Sequence, residues 1–326
     1  GGWKVGAEHH GLAQEVRFRL ARVKSTSSNS WLGKYLLVGV IWGGSFLFIA
    51  LGNQILTVFG VAFWRMALGA LPMAALVIFG RHRLPREAHI WVKVGITSLC
   101  MNSIPSVLFA VAERSVSSAF AGIINAATPV FTLLMILLIF REEKPKPVVL
   151  VGLGVGLLGV FTVLEVWSGF GTNEPLAVLA LVAAVGLYGI GGPFARRYVT
   201  PLRLEPPVQV TMQVGIAALM LAPFYLSGPL LTAPPTLPAV AGMLVLGILG
   251  TGYAYIWYYQ IMATAGSAIA NSVTYLSPVV AVIAGAALLG EQVTWYQLLG
   301  GAVVIAGAAI SQGRFNPLLN RLGWKG

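Results

Sequence analysis

Few residues in this chain can carry chemistry, and their types restrict what that chemistry is. There is no aspartate; every acidic residue is a glutamate; and the four histidines, His9, His10, His82 and His89, fall in polar or basic segments. A Ser–His–Asp set cannot be assembled from this inventory, and no glycine-rich loop carries the lysine of a phosphate site. Cys100 is the single cysteine and stands in an apolar run, so it reads as packing, and no disulfide, metal site or cofactor is expected. An enzyme is excluded on these grounds. What remains are aromatic rings, side-chain amides, hydroxyls and one cation inside an apolar stretch.

That cation is Arg65, about 10 Å from the end of its predicted helix at 1.5 Å per residue. Charge at such depth is costly and is a functional hypothesis by default. Snorkelling to the outer surface or bonding to helix-end carbonyls is the structural alternative. Pro129 and Pro278 can break their helices at mid-depth, where freed backbone groups are tolerated only against protein or a water-filled cavity. Glu142 and Glu291 each stand just before a following helix and read as caps of its N-terminus. Arg65, Pro129, Pro278, Glu142 and Glu291 therefore form a gating or structural set. The residues expected to line a central, uncharged, aromatic-rich cavity are Trp42, Ser45, Asn102, Asn125, Tyr188, Tyr255, Tyr258, Asn271, Thr274 and Tyr275. Asn102, Ser106 and Phe109 repeat at i, i+4, i+7, as do Thr251, Tyr255 and Tyr258, which gives two helices matched faces. Rings near an ammonium supply cation–π attraction, and such a wall suits an amino acid better than a nucleotide sugar, whose phosphates call for several Lys or Arg.

The elements that must position these groups follow from composition. Of 326 residues 57% are hydrophobic and 10% charged, against roughly 25% charged in a soluble domain. The apolar residues gather into spans predicted at 33–52, 57–79, 91–111, 116–139, 148–165, 176–196, 207–226, 238–262, 267–289 and 295–312. No charge occurs in 206–290, so turn chemistry at Ser227-Gly228-Pro229 and Thr264-Ala265-Gly266 divides that stretch. The net charge of +11 is sorted by side, not gathered for nucleic acid: with the N-terminus inside, only Arg65 and Arg114 among the 21 Lys and Arg fall outside cytoplasmic segments. Trp31, Trp91, Trp167, Trp295 and Tyr296 lie near span ends, where aromatic belts form. The reading is an all-α membrane protein of ten transmembrane helices, both termini cytoplasmic. Gly1-Gly2 read as a tag or processing scar, residues 1–30 as a basic tail and 313–326 as a second cytoplasmic tail.

An internal repeat organises the ten spans. Sliding the chain by 149 positions pairs Ser118 with Ser267, Ala119 with Ala268, Pro129 with Pro278, Val130 with Val279, Glu142 with Glu291 and Gly152 with Gly301. Glu142 lies among Arg141, Lys144 and Lys146, whereas Glu291 has no basic neighbour, which places the two on opposite sides. Residues 31–166 and 167–312 are thus two five-helix repeats, inverted relative to each other. Inverted repeats imply alternating access, because each half can adopt the other's conformation around a central site.

Trp42-Gly43-Gly44-Ser45-Phe46, Arg65, Ala126-Ala127-Thr128-Pro129-Val130-Phe131 leading to Arg141-Glu142-Glu143, and Tyr275-Leu276-Ser277-Pro278-Val279 leading to Gly290-Glu291-Gln292 resemble EamA-type members of the drug/metabolite transporter superfamily. The resemblance covers residues 31–312, and the YddG-type amino-acid exporters are the nearest group. Glu143 beside Glu142 and the uncharged surroundings of Tyr188-Gly189 are minor departures. The resemblance implies ten helices with both ends inside and export of metabolites, often amino acids. Bacterial inner-membrane residence, a small-molecule substrate, lipid as the surrounding partner and no nucleic acid follow. Nothing sets the oligomeric state, and a monomer suffices. A lipid-scrambling or structural membrane protein, a channel, or an exporter of another metabolite or drug are the alternatives. The glutamates fall at loops or helix ends, so uniport is expected rather than proton coupling.

Overall fold

A computed structural model describes residues 30–140, 147–164, 167, 174–265 and 272–311. The two tails, Glu142 and Asn271 lie outside the described residues. Every regular element among the described residues is helical. In chain order they are α1 (Ser30–Gly52), α2 (Val58–Phe79), α3 (Ala88–Ala112), α4 (Ser118–Ile139), α5 (Pro147–Val163), α6 (Pro175–Tyr198), α7 (Pro206–Leu226), α8 (Leu237–Ile261), α9 (Ser277–Leu289) and α10 (Trp295–Ser311). Seven of them, α1–α4 and α6–α8, are long and apolar enough to cross a bilayer. Three shorter apolar stretches lie in α5, α9 and α10.

Local chemistry sets the ends. The hydroxyls of Thr57 and Ser117 accept from the backbone N–H of Gly60 and Phe120 at the starts of α2 and α4. Proline occupies the first turn of α6, α7 and α8, where its missing N–H costs nothing. Gly290 ends α9 at φ 67°, a left-handed conformation that glycine takes without strain. Pro129 and Pro278 do break their helices. A turn at Ala126–Ala127 divides α4, and a 3-10 turn, Ser272–Tyr275, precedes α9; each proline is the second residue of the helical piece that follows. Thr128 Oγ1 closes the first break by donating to Asn125 O at 2.6 Å.

Packing relates the halves. α1 lies against α8 and α9, and α6 against α3 and α4; α2 lies against α8, and α7 against α3; α2–α7, α4–α9 and α5–α10 complete the set. Exchanging α1–α5 with α6–α10 leaves these contacts unchanged. Small residues permit the closest approach, since apolar burial gives no advantage over lipid. At Gly159 in α5 a Cβ would stand 2.5 Å from Val304 N and 2.9 Å from Gly300 O in α10. The exterior is apolar, with Leu71, Leu219, Ile283 and Leu288 exposed. At one end Glu291, in the α9–α10 loop, joins the start of α4, and Thr232 N–H donates to Ile55 O at 3.0 Å between the α7–α8 and α1–α2 loops. At the opposite end His82 contacts Glu205, which precedes α7.

Candidate functional site

The centre is built on two wide turns that the sequence pattern does not announce. Pro105 has no N–H to return to Met101 O, and α3 widens to a π segment at Leu99–Ser103, with Ile104 N–H bonding five residues back to Leu99 O. The equivalent part of α8, Val245–Tyr253, is also π, with Ala254 N–H reaching Leu249 O. Glycines 247, 250 and 252 lie in it. The first π segment carries Asn102 and the second Thr251, which stand 149 positions apart in the sequence.

Asn102 is 1% exposed. Its Nδ2 donates to the Tyr255 hydroxyl at 3.3 Å, and its Oδ1 accepts from Gln213 Nε2 of α7 at 2.6 Å. The Tyr259 hydroxyl donates to Gln213 Oε1 at 3.4 Å and accepts from Gln209 Nε2 at 3.0 Å. Ser98 Oγ adds a bond to Gln213 O at 2.6 Å. The chain Tyr255–Asn102–Gln213–Tyr259–Gln209 thus ties α3, α7 and α8 together. Gln209, Gln213 and Tyr259 were missed by sequence reasoning. The available signal was two glutamines at i, i+4 in a helix otherwise apolar.

Trp42 faces this network from α1. Its Nε1 donates to Gly250 O at 3.0 Å, and its ring lies 5.8 Å from that of Tyr255 and 5.4 Å from that of Tyr258. Gly43, the next residue, lets α1 approach α9, for a Cβ there would meet Ser277 O at 2.8 Å. Ser45 is buried close by, but its hydroxyl is committed to Ile41 O one turn back. Tyr188 stacks at 6.0 Å on Phe109, which in turn lies 5.6 Å from Phe46. The structure therefore groups Trp42, Asn102, Tyr255 and Tyr258 directly and brings Tyr188 in behind Phe109. Asn125 sits at the broken end of α4, with no hydrogen bond from its side chain to that group among the described residues. Thr274 is half-buried in the turn before α9, and Tyr275 shares that turn.

Arg65 turns inward rather than snorkelling. Its Nε donates to Thr251 Oγ1 at 3.2 Å, and that buried hydroxyl in turn donates to Leu246 O at 3.1 Å. No acceptor meets Arg65 Nη1 or Nη2 among the described residues, and the guanidinium lies within electrostatic range of Tyr188, Tyr255 and Glu113. The expectation of an uncharged centre is corrected here. A long side chain from α2 reaches an acceptor that the π segment of α8 supplies. Glu291 is corrected too. It does not cap the helix after it; it accepts from Ser118 N at 2.8 Å, Ser118 Oγ at 3.0 Å and Ala119 N at 3.0 Å, capping α4 from the other half. The free N–H groups of a distant helix outcompete those of its own because the α9–α10 loop is laid over that end.

Arg65, the amide–phenol network and the rings of Trp42, Tyr255 and Tyr258 are thus brought together by α1, α2, α3, α7 and α8. The EamA-like transporter family matches the chain twice, over residues 29–165 and 175–312. The chain belongs to the EamA-like transporter family. It is accordingly a multi-pass inner-membrane transporter. It is 27% identical over 290 residues to the uncharacterised inner membrane transporter YedA of Escherichia coli strain K12, covering 87% of this chain and 91% of YedA. It is 28% identical over 280 residues to the "Probable terminal-alkyne amino-acid exporter" of Streptantibioticus cattleyicolor, covering 84% and 91% of the two chains. With the "Probable amino-acid metabolite efflux pump" of Salmonella typhimurium it shares 23% identity over 286 residues, 85% of this chain and 92% of the other. A solved crystal structure of a protein superposes on this one with a TM-score of 0.62 at 17% identity, over 91% of this chain and 99% of that one. That likeness concerns the fold.

Proposed function

We propose that this EamA-family transporter exports amino acids, apolar and aromatic ones above others, by alternating access between two inverted repeats at 31–166 and 167–312. The observation that carries this reading is Arg65, held at one nitrogen by Thr251 with the rest of its fork unpartnered among the described residues, beside an aromatic wall. A planar guanidinium with two parallel donors matches a carboxylate. The substrate's ammonium then lies against the rings of Trp42, Tyr255 and Tyr258, and an apolar side chain packs on the same surface. The names of two relatives, one an amino-acid exporter and the other an amino-acid metabolite efflux pump, agree with this chemistry.

The repeat assignment is supported by the offset matches and by contacts that survive exchange of the halves. On this reading α5, α9 and α10 also cross, giving ten spans with both termini cytoplasmic. The His82–Glu205 end is then cytoplasmic and the Glu291 end periplasmic, in keeping with the basic residues Arg81, Arg83, Arg86, Arg196, Arg197 and Arg203 near the former. Reconstituted liposomes given a panel of labelled amino acids test the function. Saturable flux that competitors reduce, and that Trp42→Ala or Tyr258→Ala weakens without loss of folded protein, is the expected outcome. Lipid movement with no amino-acid flux would instead identify a scramblase.

A further inference from the structure

Glu113 is a carboxyl group that the substrate site does not use. It follows the last turn of α3 and is 8% exposed, and no donor reaches either carboxyl oxygen among the described residues. Around it the loops at this end of the bundle are bonded to one another and to the ends of α3 and α4. Asn53 Nδ2 donates to Ala110 O at 2.9 Å, Arg114 Nη2 to Leu56 O at 3.3 Å, and Glu291 fastens the start of α4. The charged groups facing Glu113 are Arg65 from α2 and Glu291 from the α9–α10 loop; Arg114, its chain neighbour, points to Leu56 O, and Glu174 at the start of α6 is exposed. Glu165 lies outside the described residues.

An ionised carboxylate buried with no donor costs several kcal/mol. Burial pushes the Glu113 carboxyl well above the usual carboxylate range, the negative charge of Glu291 pushes it further, and the positive charge of Arg65 opposes both. Burial in this arrangement favours the neutral acid over the carboxylate. Water admitted by opening this end would remove the burial cost.

We propose that Glu113 is a proton-binding gate: its neutral form holds this end shut, and opening releases one proton to water and leaves a carboxylate that pairs with Arg65. The O–H bond of the acid breaks, water takes the proton, and the electron pair stays on the carboxylate. On the reading that Arg65 holds the substrate carboxylate, the new pair displaces it, and the substrate leaves through the opened end. A proton that enters and leaves on the same side performs no net work, so the gate is compatible with uniport.

The sign follows from linkage. The closed form binds the proton more tightly than the open form. Closing is therefore fully favoured below the open-form pKa and loses ground as pH rises toward the closed-form value, by up to about tenfold in the closed/open ratio per pH unit. Above the closed-form value the ratio is constant again.

The test uses the full chain with Cys100→Ser in lipid nanodiscs, spin-labelled at Gln54 and Gly228 in the α1–α2 and α7–α8 loops, with the distance distribution measured from about pH 4 to about pH 9. The open population should rise with pH in the otherwise unaltered protein, keep its slope in Glu291→Gln, and stay low and flat in Glu113→Gln. In Arg65→Gln the midpoint should move to higher pH, because the cation that favours the carboxylate is gone. A flat profile in the unaltered residues, a normal slope in Glu113→Gln, loss of slope in Glu291→Gln alone, or an unmoved midpoint in Arg65→Gln overturns the proposal. The unaltered profile decides even if a variant misfolds. No substrate is present, so failure here leaves the transport reading standing, and failure of the amino-acid panel leaves the gate standing.

Discussion

Replacing Glu291 should destabilise a helix more than 170 residues away in sequence. Its carboxylate accepts three hydrogen bonds, from Ser118 N (2.8 Å), Ser118 Oγ (3.0 Å) and Ala119 N (3.0 Å), and the separation is 173 residues. Bonds to an ionised acceptor contribute about 1.5–3 kcal/mol each, but three on one half-buried carboxylate are not additive, so Glu291→Ala should cost about 3 kcal/mol. At about 2 °C per kcal/mol for a chain of this length, the apparent Tm falls by about 6 °C. Ser118→Ala removes one bond of the three and should cost about 1 kcal/mol, or about 2 °C. In the Glu291→Ala background that bond no longer exists, so Ser118→Ala should add almost nothing. Tryptophan fluorescence on heating the detergent-solubilised protein at a fixed rate measures all three variants. Additive losses would refute the cross-half cap, because they would mean that Glu291 and Ser118 stabilise separate helices.

Gly159→Ala drives a Cβ to 2.5 Å from Val304 N, and should lower stability by about 1–3 kcal/mol. Gly154→Ala, with nothing within 4 Å, should leave it unchanged, both read as the monodisperse fraction surviving heat. Gln213→Leu strips Asn102 Oδ1 and the Tyr259 hydroxyl of a partner. It should cost about 1–2 kcal/mol and lower the initial rate of transport in liposomes. Single cysteines at 81–87 and 196–205 in a Cys100→Ser background should resist impermeant maleimide in intact cells, whereas those at 229–236 should react; the reverse pattern would invert the orientation.

Helix existence was legible because backbone groups in lipid must bond internally and the apolar runs are long. Pro129 and Pro278 could be read as breaks for the same reason: proline withdraws a donor wherever it stands. The matched faces of α3 and α8 found Asn102 and Tyr255, which do bond. Spacing rules failed where geometry departs from 3.6 residues per turn. The π turns rotate Asn102 and Thr251 relative to an ideal helix, and only Pro105 and a run of glycines hint at that. Partners far apart in sequence were also hidden. Nothing local to Glu291 points to Ser118, nothing local to Arg65 says that Thr251 will be there to receive it, and Glu113, one residue beyond a helix end, looks like a loop residue until the loops around it are in place.

Arg65 is the group proposed to hold the substrate carboxylate, and competition in counterflow tests that role most directly. Liposomes carrying the protein should exchange a labelled apolar amino acid, and unlabelled amino acid should compete about tenfold to 100-fold better than its carboxamide, the ratio that corresponds to about 1.5–3 kcal/mol for a charge-assisted contact. In Arg65→Gln that preference should disappear while folded yield is kept. Equal competition by acid and amide in the unaltered protein, or an undiminished preference for the acid in Arg65→Gln, would contradict it.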